Sequence, residues 1–245
     1  MRTATNVISL RGATKQFGGL VAVDNMDFDV TEHEVKGLIG PNGSGKSTTL
    51  NLISGALTPS DGEIVLRGTP ITGLPAKDIA RLGVSRTFQL VRLLPSMTVL
   101  ENVMAGAVFG HRRRWGRAAE QHAMAILEKV GMARQARAHF SQLTYIDTKR
   151  VELARALAGE PEVLLLDEWL AGLNPTELQA GIELIHALRD EGRTIILVEH
   201  VMDAIRSLCD SCVVMSSGKK IAEGTPEEVL SDPDVVRAYL GDEDA

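Results

Sequence analysis

The stretch Gly40-Pro41-Asn42-Gly43-Ser44-Gly45-Lys46-Ser47-Thr48 constrains this chain more than any other. It satisfies G-x-x-x-x-G-K-[ST], a pattern that acts only between a strand and a helix. Both flanks are present: Val35 to Ile39 reads as a buried strand, and a helix is predicted from about Lys46 through Leu52. Glycines let backbone N–H groups curl round an anion without side-chain clash. The following helix adds the positive end of its dipole. Lys46 can then reach the β- and γ-phosphates of a nucleotide, and the Ser47 hydroxyl can ligate Mg²⁺.

The rest of the chain reads as a fold that could carry such a loop. Val7 to Leu10 and Met26 to Val30 are predicted strands, as is Ile64 to Leu66, with Gly68, Thr69 and Pro70 as turn residues. Val84 to Phe88 is a short strand ending at Gln89. Met97 to Leu157 is mostly helical in pattern, broken at Gly110 to Gly116 and near Gly131. Val163 to Leu166 is an apolar strand, Glu177 to Arg189 an amphipathic helix, and Thr194 to Val198 another buried strand. Val201 to Leu208, Val213 to Ser216 and Lys220 to Ala222 continue the alternation. Strand–helix alternation with apolar strands predicts a mostly parallel α/β core. The expected division of one domain, 1–245, is a nucleotide-binding core of 1–88 and 159–245 with a helical subdomain, 89–158, inserted.

Composition excludes other classes. Apolar residues make up 44% and charged residues 24%, so a disordered tail is excluded. No apolar stretch approaches the roughly 18 residues of a membrane span. Met1 to Leu10 has no long apolar core after Arg2, which predicts no secretion signal and a cytosolic chain. The net charge of −6 argues against a nucleic-acid partner. Residues 90–140 depart from that average, with eight Lys or Arg against three Glu. Their run from His111 to Arg117 is either a solvated loop or a contact with a membrane surface or partner. Cys209 and Cys212 form C-x-x-C without a second pair, and read as small buried side chains rather than a metal or redox site.

A second cluster lies downstream. Leu164-Leu165-Leu166-Asp167-Glu168 is an apolar strand ending in two acids, and buried strands of α/β folds present ligands at their carboxyl ends. Asp167 can enter a Mg²⁺ shell; Glu168 can orient or deprotonate an attacking water. Gln89 and His200 each follow a short apolar strand and can sense a γ-phosphate or its water.

In this order of motifs the chain resembles the ATP-binding subunits of ABC transporters, along nearly its whole length. It looks most like those of branched-chain amino acid importers, through Phe17-Gly18-Gly19-Leu20-Val21-Ala22-Val23, Arg86-Thr87-Phe88-Gln89, Met97 to Val103, Ala171 to Pro175, and Ile221 to Pro226. The resemblance implies a P-loop NTPase core with an antiparallel N-terminal β region, and ATP with Mg²⁺ as cofactors. It implies that Phe17 stacks on adenine, that Gln89 touches the Mg²⁺ site and couples to the membrane subunit, that Glu168 is the general base, and that His200 contacts the γ-phosphate. The implied partners are transmembrane permease subunits, a second ABC ATPase subunit and, indirectly, a solute-binding protein. The implied location is the cytoplasmic face of the inner membrane, peripheral through the permease.

The chain departs from that family twice. Where members usually carry Leu-Ser-Gly-Gly-Gln, sometimes with Tyr third, it has Leu143-Thr144-Tyr145-Ile146-Asp147. In the family this segment caps the γ-phosphate held by the opposite subunit. Ile146 obstructs the backbone approach that Gly permits, and Asp147 brings negative charge. Thr144-x-x-Asp147 is also a capping box for the helix that follows. A heterodimer with a sister subunit of intact signature is therefore expected over a homodimer. The second departure is Trp169, where the family has Pro; the indole either shifts the base or packs against a partner. The alternative function is a nucleotide-binding subunit that does not turn over, which the signature favours and Glu168 opposes.

Overall fold

The computed structural model describes residues 5–240; the reading of Met1 to Leu10 lies partly outside them. Strands β1 (Asn6–Phe17) and β2 (Leu20–Thr31) form a hairpin, and β3 (Val35–Ile39) runs into α1 (Lys46–Ile53). Then come β4 (Asp61–Leu66), β5 (Thr69–Pro70), α2 (Ala76–Arg81) and β6 (Val84–Arg86). Three helices follow, α3 (Val99–Phe109), α4 (Gly116–Lys129) and α5 (Tyr145–Ala158). The chain returns through β7 (Val163–Asp167), α6 (Pro175–Asp190), β8 (Thr194–Val198), α7 (Met202–Leu208), β9 (Ser211–Ser216) and β10 (Lys219–Gly224), and ends in α8 (Pro226–Ser231) and α9 (Pro233–Leu240).

Two sheets result. One is antiparallel, in the order β2-β1-β4-β5. The other has the order β10-β9-β3-β8-β7-β6 and is parallel except for the pairing of β9 with β10. The fold class read from sequence holds.

The uniformly apolar strands follow from burial on both faces. Along β7, Leu164 and Leu166 enter one hydrophobic cluster and Val163 and Leu165 the other; β8 and β9 split the same way, with Ile195, Leu197, Cys212 and Val214 on the first side. Period-2 alternation sends successive residues into two separate cores. One core contains α3, α4 and α5; the other lies against the antiparallel sheet and α1. Both cysteines are buried in the first, where a Cβ on Gly37 would lie 2.7 Å from the Cys212 sulfur. They fill the space a missing side chain leaves.

Several boundaries differ from expectation. β1 and β2 extend well beyond Val7–Leu10 and Met26–Val30, because polar residues alternate along them and register shifts interrupt the pairing. β6 stops at Arg86 rather than Phe88, although Thr87 N–H still bonds Leu165 O. Thr69 and Pro70, read as turn, form the short edge strand β5, where Pro is tolerated. Helices α2 and α8, of six residues each, are too short to show a strong apolar period.

Helices α3 and α5 pack closely at Gly106, where an added Cβ would sit 2.0 Å from Arg155 O. Gly106→Ala is expected to lower stability by about 1–3 kcal/mol, overriding the ~1 kcal/mol helix preference of Ala. Gly19→Ala, with nothing within 4 Å, is the control and should stay within about 0.5 kcal/mol. Equal urea midpoints for the two variants would contradict this packing.

Candidate active site

Residues 40–45 join β3 to α1. Gly40 has φ 145° and Gly45 φ 105°; a Cβ would lie 2.1 Å from Met215 O at the first and 2.4 Å from Ala22 O at the second. Glycine alone suits both places. Gly45 is also the N-cap of α1 and offers no side chain to the helix's first amides, which stay open to an anion. Ser44 is buried with its hydroxyl unpartnered. Lys46 Nζ folds back to donate to Gly40 O at 2.7 Å and Pro41 O at 2.8 Å. Burial pushes this ammonium below the ordinary lysine range, against the pull of Glu168 and Asp167. A buried cation, an unpartnered hydroxyl and an open helix start thus converge, which is the chemistry a phosphate satisfies.

The cavity above them has about 440 Å³ and is lined by residues 42–48 with Phe17, Gln89 and Glu168. Phe17, at the end of β1, is 44% exposed and belongs to neither core. Lys15 Nζ lies over the ring, 5.1 Å from its centroid, and the exposed remainder is open to a flat ring.

Asp167 ends β7. The ladders β3–β8 and β8–β7 set that end beside the loop, and Ser47 Oγ donates to Asp167 Oδ1 at 3.4 Å. The other oxygen, Oδ2, pairs with Arg86 Nη2 at 3.0 Å, with both side chains buried. Arg86 Nη1 further donates to Asn51 Oδ1 at 2.7 Å and Ser54 Oγ at 2.9 Å on α1. Burial pushes Asp167 up and Arg86 down, each against the other's attraction; the guanidinium stays charged at any ordinary pH. In the sequence Arg86 stands out only as part of the segment Arg86-Thr87-Phe88-Gln89. The missed signal is an arginine closing an apolar strand, since a charge there needs a carboxylate.

Glu168 adopts φ 48°, the left-handed region, which costs a non-glycine residue about 1 kcal/mol or more. Its N–H donates to Val198 O at 2.9 Å. Its Oε2 accepts from Gln89 Nε2 at 2.7 Å, so two residues predicted from separate strand ends meet in the cavity. His200 does not join them: it is exposed, two residues past β8, outside the cavity wall. The remaining oxygens suit a hard cation: Ser47 Oγ and Asp167 Oδ1, beside open space for phosphate and water, form the kind of donor set Mg²⁺ prefers.

The two departures resolve locally. Thr144 Oγ1 accepts from Asp147 N–H, and an Asp147 oxygen accepts from Thr144 N–H, both at 3.3 Å, so the capping box forms. Trp169 is 1% exposed and packs within its own chain, against Gly181, rather than against a partner. Its Nε1 donates to Lys149 O at 3.0 Å. Beyond it, Leu170 N–H donates to Glu199 Oε1 at 2.6 Å, while Glu199 Oε2 is buried without a partner. Burial raises the Glu199 carboxyl to about 7.

Comparison with known proteins places this geometry. A family model described as ABC transporter matches residues 23–171, and one described as branched-chain amino acid ATP-binding cassette transporter matches residues 219–245. The chain is 41% identical over 251 residues to the high-affinity branched-chain amino acid transport ATP-binding protein LivG of Salmonella typhimurium, covering 96% of this chain and 98% of the relative. BraF of Pseudomonas aeruginosa, described in the same words, is 40% identical over 253 residues with the same coverage. The solved ADP conformation of MJ1267, an ATP-binding cassette of an ABC transporter, superposes with a TM-score of 0.87 at 31% identity, over 96% of this chain and 99% of that one. The cassette MJ0796, solved as a dimeric post-hydrolysis state bound to ADP and Pi, gives 0.81 at 26% identity, over 89% and 98%.

Glu199 supplies a pH test. Its folded value of about 7 lies above the ordinary 4.5. Its contribution to stability is thus fully present below about pH 4.5 and lost as pH rises through 7. Glu199→Gln keeps the acceptor for Leu170 and removes the titration. The variant is expected to be more stable than the parent by about 1–3 kcal/mol at pH 8, with the gain gone by pH 4.5. Urea unfolding at both pH values checks this; a pH-independent difference contradicts it.

Proposed function

The chain belongs to the ATP-binding subunits of ABC transporters, in their branched-chain amino acid branch, and from that premise we propose that it spends ATP to drive import of a branched-chain or other hydrophobic amino acid. The observation that carries the reading is the meeting of Gln89 and Glu168 across one cavity from Lys46 and Ser47.

The chemistry follows from the groups. The loop amides and the Ser44 hydroxyl take phosphate oxygens, and Lys46 exchanges two carbonyl partners for the β- and γ-phosphates. Phe17 covers the adenine face. Ser47 and Asp167 would hold Mg²⁺, which would supply charge neutralisation on the phosphates; Arg86 keeps Asp167 aimed through its other oxygen. Glu168 accepts a proton from water as the water oxygen bonds to Pγ. The bond from Pγ to the bridging oxygen breaks, and its electron pair leaves with ADP. Gln89 orients Glu168 and reports its state to the surface. His200 follows β8, the neighbour of β7, and is the residue free to approach the γ-phosphate from the rim.

The permease is proposed to dock in a groove of about 350 Å³ whose lining includes Ala56, Ala80, Phe88, Leu94, Phe109 and Arg155. Phe88 adjoins Gln89, so a permease helix seated there would feel the site. Residues 89–158 are proposed to move as a helical body against the core. Within the basic run, Arg114 is taken by Glu160 and Arg112, Arg113 and Arg117 remain exposed. Among the described residues no helix is long and apolar enough to cross a membrane, which suits a subunit held at the cytoplasmic face by its permease and served by a solute-binding protein.

The signature segment supports pairing with a sister subunit. Thr144 and Asp147 are consumed by the cap of α5, and Asp147 sets a negative charge where a phosphate would approach; Ile146, expected to obstruct that approach, is instead turned inward and only 8% exposed.

Glu168→Gln is expected to retain MgATP affinity and lose at least ~100-fold in turnover in the assembled transporter; unchanged turnover would overturn the base assignment. Lys46→Ala is expected to abolish MgATP binding by calorimetry. The purified chain alone is expected to stay monomeric in scattering measurements with MgATP; a brisk homodimeric ATPase would overturn the pairing.

A further inference from the structure

Helix α5 carries two buried charges that the hydrolytic scheme leaves unused. Lys149 is 2% exposed and Glu152 1%. They stand three residues apart, on one face of the helix. Lys149 Nζ donates to Glu168 O at 3.2 Å and Trp169 O at 2.9 Å. The Glu152 carboxylate accepts from Phe88 N–H at 3.3 Å and Arg92 N–H at 2.9 Å, the amides that bracket Gln89. Trp169 returns its indole N–H to Lys149 O. One helical turn thus grips the backbone of both loops whose side chains meet in the cavity.

The arrangement is expensive as mere packing. Two charges without solvent are seldom the cheapest way to fill a core, and apolar residues of similar size often serve as well. What the charges do that apolar groups cannot is bind backbone carbonyls and amides directionally. They act where direction matters, at a Glu168 held in the left-handed region. The second grip on that loop, from Glu199 to Leu170 N–H, comes from the residue just past β8.

We propose that Lys149 and Glu152 are positioning residues for hydrolysis, fixing the Glu168 loop and the Gln89 loop to one helix so that the base and its glutamine partner stay in register. The inference rests on reading Glu168 as the base. Because the signature segment forms the start of the same helix, a displacement of α5 reaches both loops together. The divergent residue Asp147 changes what α5 presents outward, Ile146 being buried, while the inward grip is intact.

The test is steady-state ATP hydrolysis by the assembled transporter, with thermal unfolding of each purified chain. Lys149→Met keeps length and removes the donor; kcat is expected to fall about 10-fold or more with KM for ATP and nucleotide affinity within about 3-fold, and Lys149→Arg to recover most of the loss. Glu152→Gln, which keeps one acceptor, should lose several-fold in kcat alone. Wild-type kcat in a folded Lys149→Met overturns the proposal. If Lys149→Met does not fold, Trp169→Phe decides: a fall in kcat alone supports the grip, and an unchanged kcat overturns it. Glu168→Gln run alongside separates the two ideas. If it does not slow turnover, the base reading fails; if it does while Lys149→Met and Glu152→Gln do not, only the positioning fails.

Discussion

Two strand ends held side by side make everything else at this site possible. Ser47 and Asp167 are 120 residues apart in sequence, yet their side chains touch. β8 lies between β3 and β7 and pairs with both, in parallel. Parallel pairing puts all the carboxyl ends on one edge, so whatever follows each strand lands in the same place. The phosphate loop, the acid pair and His200 arrive by that rule.

The electrostatics of the edge are arranged for an anion. Lys46 is buried and satisfied only by two carbonyls of its own loop, and Ser44 has a buried hydroxyl with no partner. Asp167 is neutralised on one side by Arg86, leaving the other oxygen toward Ser47. A phosphate replaces weak partners with strong ones, because charge-assisted bonds to a desolvated anion outweigh bonds to carbonyls. Arg86 and Arg92 both lie over the ring of Phe88, at 4.6 and 4.5 Å from its centroid. The Asp167 side of the site and the wall of the apolar groove are therefore built from the same few side chains.

The two departures from the family pattern belong to one neighbourhood. Asp147 and Thr144 cap α5, and Trp169 bonds back to α5 through Lys149 O. Gly181 in α6 leaves room for the indole and for Leu170, with a Cβ there meeting Leu170 at 2.7 Å and Trp169 at 3.2 Å. The helix that carries Asp147 at its start bonds, through its inward face, the backbone of the loops bearing Glu168 and Gln89.

Sequence by itself determined the phosphate loop, the alternating core, the acid pair and the capping box, because each is written in neighbouring residues: glycine spacing, apolar runs, an Asp-Glu at a strand end, Thr and Asp three apart. It also placed Gln89 and Glu168 at strand ends. That their side chains bond to each other, that Arg86 engages Asp167, that His200 stands outside the cavity and that Lys149 and Glu152 hold both loops were decided only by tertiary structure. Those facts concern partners tens of residues apart, whose meeting depends on strand order and helix packing, and a buried lysine reads in sequence like any solvated one until its carbonyls are found. The left-handed Glu168 is of the same kind: no local preference selects it, and long-range bonds from Val198, Lys149 and Gln89 impose it.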